Sequence, residues 1–186
     1  EMLGRAAAWY KEYAFLRGTG AANLQTLGIL NSASKITVTR DASNHVGMGD
    51  VGDMAKKMIP FGWNHAIWAA SPTAVGEIVQ MAGWVPNEDP LGTEMGCAGS
   101  LLTRPLFVTE KLPALGTEGD LVFFDPTMYV IGNRQEVLVE FSQHPLFISN
   151  RTSVRVWLRC DGKPLNDGAI TLADGSSTAS PFVVLS

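Results

Sequence analysis

Two cysteines and three histidines are all that this 186-residue chain offers of the side chains that most often form disulfides or hold zinc. Cys97 and Cys160 form neither a metal spacing nor a disulfide framework, so reduced thiols are expected. His45 lies in a polar loop, His65 opens a strand-like run and His144 precedes Pro145. None has a second ligand at a spacing that suits zinc, and the nearest set, His45 with Asn44 and Asp41, is weak. The nucleophile elbow G-x-S-x-G is missing, and Cys97, set among Gly96, Ala98 and Gly99, has no basic partner signalled. Glu88 with Asp89, and Glu118 with Asp120, occur in turn-like contexts where acids are simply solvated. No catalytic residue, metal site or cofactor is therefore expected.

Basic charge is also scarce. Fourteen Lys and Arg against eighteen Asp and Glu give a net charge of −4 and a pI near 5.3. Coating a duplex depends on displacing counterions with Lys and Arg, so a nucleic-acid-coating surface is excluded, although contact with packed DNA through a local patch is not. No apolar run approaches the length that crosses a bilayer and no signal peptide is visible, so no membrane partner is expected. The sequon Asn150-Arg151-Thr152 reads as chance without a secretory signal.

What is present is a packed globular composition, 46% hydrophobic and 17% charged, long enough for one large or two small domains. Gly47-Met48-Gly49-Asp50-Val51-Gly52 has the G-x-G-x-x-G spacing of a pyrophosphate cradle. That motif needs a strand running directly into its first glycine and an acid at the end of a second strand. Here the strand-like run 35–39 ends well short of Gly47, and the second run ends on Ser71 and Pro72. A loop capped by Asp50 or Asp53 before a helix is the better reading; a nucleotide-binding enzyme is the alternative from another class.

Residues 1–16 place Leu3, Ala6, Ala7, Tyr10, Tyr13 and Ala14 at helical spacing, with Gly18 where helices stop. Since Glu1 falls in mid-pattern, the chain reads as the later part of a longer product. Leu24, Leu27, Ile29 and Leu30 give the following connector apolar residues that call for burial. Helix, strand, helix follows over 50–83, with Ser71 as N-cap and Pro72 at the first helical position. Residues 84–100 read as a long loop, and the remainder as strands at 104–110, 120–125, 128–132, 136–141, 154–160, 169–173 and 181–185. Turn signals include 116–119, Asp125-Pro126, Asp174-Gly175 and the four residues Asp161-Gly162-Lys163-Pro164. Trp9, Trp63, Trp68 and Trp84 read as packing residues; Trp157 shares a strand face with Arg155 and Arg159, opposite Val154, Val156 and Leu158, which suits a protein contact. The fold class is α+β.

Several segments match one known family in order: EYAFLRGTG, the LGIL run, the long stretch from Arg104 to Pro164, and the closing FVVL. The matching positions include Arg104, Pro105, Glu110, Pro113, Leu115, Gly116, Gly119, Asp120, Asp125, Tyr129, Ile131, Gly132, Arg134, Arg159, Asp161 and Gly162. The chain thereby resembles the major capsid proteins of tailed bacteriophages with the HK97-like capsid fold. The resemblance implies a non-enzymatic shell subunit, of a phage or prophage virion, that self-assembles into pentamers and hexamers enclosing double-stranded DNA without sequence-specific binding. A bacterial compartment or gene-transfer particle is the alternative within the same fold.

It also implies two linked parts. The peripheral domain, with a long helix and an elongated antiparallel sheet, takes residues 1–20 and 148–186, and the mixed α/β axial domain takes 21–147. A scaffold or maturation protease and a portal are implied partners, and the host bacterial cytoplasm the implied place of assembly. The loop 84–100, with Glu88, Asp89 and Glu94, is expected near a symmetry axis. Asp161 and Lys163 are expected at a peripheral hairpin tip, and with Arg155, Trp157 and Arg159 they complete the candidate subunit-interface residues. The family's N-terminal arm and extended loop are absent from this chain, so no crosslinking role carries over.

Overall fold

Ile67–Ala70, Leu121–Phe124 and Phe182–Leu185 are uninterrupted apolar runs, and they form the centre of the molecule as strands β2, β6 and β11. The last two are buried at every position, the pattern of strands covered on both faces. The structure is a computed structural model that describes residues 2–86 and 97–186. Around these three strands lie β1 (Ile36–Val38), β3 (Trp84–Pro86), β4 (Cys97–Leu101) and β5 (Arg104–Val108), in the sheet order β1-β11-β6-β2-β5-β4-β3. Strands β1 and β11, and β2 and β5, run parallel, and the other neighbours antiparallel.

The period of two along each strand divides the core between the sheet's faces. One face carries Trp68, Leu106, Phe123, Val183 and Leu185, covered by Val51 and Met54 of α2 (Met48–Lys57) and by Ile78 of α3 (Val75–Ile78). Trp68 stacks on Phe123 with ring centroids 4.0 Å apart. The other face carries Ala69, Val122, Phe124, Phe182 and Val184, covered by Ile29, Leu30 and Leu112, with Leu16 of α1 (Met2–Arg17) at its margin.

Helix α1 ends where Gly18 approaches Gly28 backbone to backbone, the Gly28 N–H donating to the Gly18 carbonyl at 2.9 Å. A Cβ on Gly28 would lie 2.5 Å from the Gly18 nitrogen and 2.7 Å from the Leu16 carbonyl. Glycine at that position is thus a requirement of contact, and it locks the helix end onto the LGIL segment.

Beyond the sheet extends a two-stranded antiparallel ribbon of β7 (Tyr129–Ser142) and β8 (Ser153–Pro164). It pairs from Tyr129 opposite Pro164 to Ser142 opposite Ser153. Its far turn, residues 143–152, contains a 3₁₀ helix at His144–Ser149. A small hairpin of β9 (Ile170–Thr171) and β10 (Thr178–Ala179) precedes β11. Among the described residues no helix is long and apolar enough to cross a membrane.

The α+β class stands, with several local corrections. Asp161-Gly162-Lys163-Pro164 is the end of β8, paired with Tyr129–Gly132, and not a turn or hairpin tip. Gly162 serves close packing instead, since a Cβ there would sit 2.8 Å from the Tyr129 ring and 3.0 Å from Phe15. The separate strands expected at 128–132 and 136–141 are one strand, β7, with register irregularities near Asn133 and Gln135. The helix expected after Ser71 is only the single turn of α3: Ser71 does not cap it, because its hydroxyl meets that of Thr73 at 2.8 Å, and the N-cap is Ala74. The ends of the loop expected over 84–100 pair as β3 and β4, and Glu88, Asp89 and Glu94 lie outside the described residues. The boundary at 147/148 falls within the turn joining β7 to β8, and β11 lies inside the main sheet beside β1 and β6.

Candidate subunit-interface site

The glycine-rich loop resolves through Asp50. Its buried carboxylate accepts from the Gly47 amide at 2.8 Å and from the Asp41 amide at 2.8 Å. A carboxylate of the chain itself therefore occupies the helix start that would otherwise attract a phosphate. The strand β1 ends at Val38, so the tight strand-to-helix turn of a dinucleotide site does not form. His45 meets Glu77 at 2.5 Å instead of gathering ligands, and among the described residues no three His, Cys, Asp or Glu side chains form a metal set.

The residues of the 113–120 motif have a structural role. Gly116 and Gly119 adopt φ of +88° and +95°, a region that disfavours other residues. The turn they make delivers Asp120 into the interior, where it is fully buried. Its carboxylate takes the Arg40 guanidinium at 2.9 and 3.0 Å and the Gly116 amide at 2.8 Å. Its backbone accepts from the Ser71 amide at 2.9 Å. One acid thus joins the chain after β1, the chain after β2 and the turn before β6.

A second group of motif residues converges where α1, the LGIL segment and the ribbon meet. The Tyr129 hydroxyl donates to the Leu27 carbonyl at 2.8 Å, and the Leu27 amide donates to the Gly162 carbonyl at 3.1 Å. Phe15 packs edge-on against Tyr129, with ring centroids 5.7 Å apart. Burial, with the nearby Asp161 carboxylate second, pushes the Tyr129 pKa up to about 12. A raised folded-state value means a contribution to stability that is complete below the unfolded tyrosine pKa of about 10 and is lost as pH rises toward the folded value. Melting temperature is therefore expected to fall between about pH 10 and 12, and Tyr129→Phe is expected to flatten that fall while costing about 0.5–1.5 kcal/mol at neutral pH through the lost hydrogen bond. Equal pH slopes for both proteins in thermal melts would contradict this assignment.

The ribbon gathers the remaining candidates. Alternation places Arg155, Trp157, Arg159, Asp161 and Lys163 on one face of β8, and Val154, Val156, Leu158, Cys160 and Gly162 on the other. Residues paired across the strands share a face, so Glu140, Leu138 and Val130 join the first set, while Phe141 and Val139 join the second. Helix α1 lies against the second face near Leu158 and Val137, and Lys11 reaches Asn133 at 3.4 Å. On the first face the Arg155 and Arg159 guanidiniums flank the Trp157 ring at 5.3 and 5.0 Å. Arg155 also pairs with Glu140 at 3.2 Å. The structure thus brings together five of the eight interface candidates, and the remaining three, Glu88, Asp89 and Glu94, lie outside the described residues.

Sequence patterning did not single out α1 as an exposed element. None of its residues is fully buried, and Met2 is 87% and Tyr10 70% exposed. Trp9 is tied down through its indole N–H, which donates to Glu110 at 2.6 Å, and Glu12 pairs with Lys111 at 2.6 Å. The signal available beforehand was the run of apolar and aromatic residues around more than one side of the helix.

Known proteins resemble this architecture. Two solved structures match over 99% of the chain at 15% identity: the capsid of a native GTA particle, with a TM-score of 0.67, and the capsid of an empty GTA particle, with a TM-score of 0.66. The chain spans 63% and 64% of their respective lengths, just under two thirds. A comparison with curated proteins found no match. The likeness shows the fold, an HK97-like capsid fold. The model of the phage capsid family matches residues 1–175, nearly the whole chain. On that match, with the fold in agreement, the chain belongs to the phage capsid family.

Proposed function

We propose that the chain is a structural subunit of an icosahedral capsid shell, which assembles with copies of itself to enclose double-stranded DNA. The observation that carries this reading, beyond family and fold, is apolar surface left exposed on α1 and the ribbon. Helix α1 has no fully buried residue over its 16 positions, and an isolated helix of that length is marginal in water. The outer ribbon exposes Val137, Val139, Phe141 and Val154, with Phe141 71% exposed. A sheet with unpaired apolar faces calls for another layer. Copies related by closed symmetry supply such layers without a ligand pocket.

The two-part organisation is part of the same proposal. In this reading the seven-stranded sheet with its helices is the axial body, and α1 with the ribbon 129–164 is the peripheral arm. The pairing of β7 with β8 and the place of β11 in the sheet support these limits. A shell of a gene-transfer particle is the second reading, favoured by the likeness to capsids of GTA particles. The genes flanking this one separate the two readings. A scaffold or maturation protease and a portal are the proposed assembly partners, and the host bacterial cytoplasm the proposed place of assembly.

Sedimentation of the product of the complete gene, expressed with its flanking genes, tests the reading. A single fast-sedimenting species of uniform size is expected. Monomers or small oligomers alone, with those genes present, would contradict it.

A further inference from the structure

The face of the ribbon opposite α1 has no covering element among the described residues. It also carries an unmet need: the Trp157 indole nitrogen is shielded from solvent and has no acceptor among the described residues. Buried donors are normally satisfied. Arg155 and Arg159 shield the ring from either side, and among the described residues Arg159 has no carboxylate at ion-pair distance. Tryptophan flanked by arginines is the composition of an interface centre. Leu138, 38% exposed, and Val130, 48% exposed, add apolar area on the same face.

We infer that this face docks a second copy of the chain, which presents carboxylate or carbonyl acceptors to the Trp157 N–H and the Arg159 guanidinium. The inference rests on the shell reading and adds the surface and its chemistry. The pattern of charge selects the occupant. Glu140 sits against Arg155 at 3.2 Å, and Asp161 follows Arg159 on the same face. A duplex backbone is held by a stripe of one positive sign, and these two acids would repel it. A protein surface of both signs is complementary, and a chain with net charge −4 brings acceptors in excess.

The test compares Arg159→Glu and Trp157→Phe with the natural sequence, each as the product of the complete gene expressed with its flanking genes. Both side chains are on an exposed ribbon, so unchanged far-ultraviolet circular dichroism and melting of the unassembled subunit are expected. Arg159→Glu places like charges together and is expected to lower the yield of closed shells roughly tenfold or more. Trp157→Phe keeps an aromatic ring between the arginines but removes the N–H, and is expected to lower the yield roughly two- to tenfold. Normal numbers of normal shells from Arg159→Glu would overturn the inference while leaving the shell reading intact. Normal shells that retain less DNA would also overturn it, assigning the face to nucleic acid. Absence of shells from the natural sequence would remove the shell reading itself.

Discussion

Asp120→Ala is expected to lower the stability of the subunit by about 3–5 kcal/mol, since removing one partner of a buried ion pair leaves the other charge uncompensated. Among the described residues the Arg40 guanidinium would be left in the interior with the His45 carbonyl, at 3.3 Å, as its remaining hydrogen-bond acceptor. Its Nε already has no acceptor among the described residues. The Gly116 amide would lose its acceptor as well, loosening the turn that sets β6 in place. Against a typical domain stability of about 5–15 kcal/mol, that is a large fraction of the total. Urea unfolding followed by fluorescence measures the change, and a loss under about 1 kcal/mol would contradict the role given to this pair. Replacing both partners, Asp120→Leu with Arg40→Met, is expected to recover most of the loss, because no charge is then buried alone.

Gly28→Val is expected to detach α1 from the sheet. The neighbours that a side chain would strike are backbone atoms, the Gly18 nitrogen at 2.5 Å and the Leu16 carbonyl at 2.7 Å. They cannot rotate away as a side chain could. Overpacking of this kind costs about 1–3 kcal/mol and more where nothing can yield, so a value at or above the top of that range is expected. The face of the sheet built on Trp68 and Phe123 does not depend on the contact, because it is covered by α2 and α3. The amides of α1 should therefore lose protection in hydrogen exchange while those of β6 and β11 keep it. Uniform loss across helix and sheet would show that the two parts unfold as one. Retained protection in α1 would contradict the close-contact account.

The strands were legible wherever burial and pattern agree. Leu121–Phe124 and Phe182–Leu185 read as strands because an apolar run between turn residues has no other use at that length. Their pairing was not legible, because the contact between β1 and β11 joins residues 36–38 to 183–185 and no local signal reports it. The error at Asp161-Gly162 has a similar cause. An Asp-Gly dipeptide commonly marks a turn, but here the glycine is required by Tyr129 and Phe15, which are distant in sequence. The α3 region is shorter than its pattern suggests: Ser71 bonds Thr73 and does not cap a helix, and only Val75–Ile78 are helical.

The interface candidates show the same division. The alternation in β8 placed Arg155, Trp157 and Arg159 on one face, as expected from a period of two. That this face lies opposite α1 depends on the ribbon's position, which the alternation does not encode. Asp120 looked like a solvated acid beside Glu118, since a carboxylate among glycines and threonine resembles any surface turn. Only its approach to Arg40, eighty positions away, makes it a buried one.

Electron microscopy of the assembled gene product decides whether the subunit builds a closed shell. Shells of uniform diameter are expected, with the seven-stranded sheet recognisable in each subunit and both α1 and the ribbon 129–164 buried against neighbouring copies. Soluble subunits whose α1 and ribbon remain bare, even with the flanking gene products present, would contradict it.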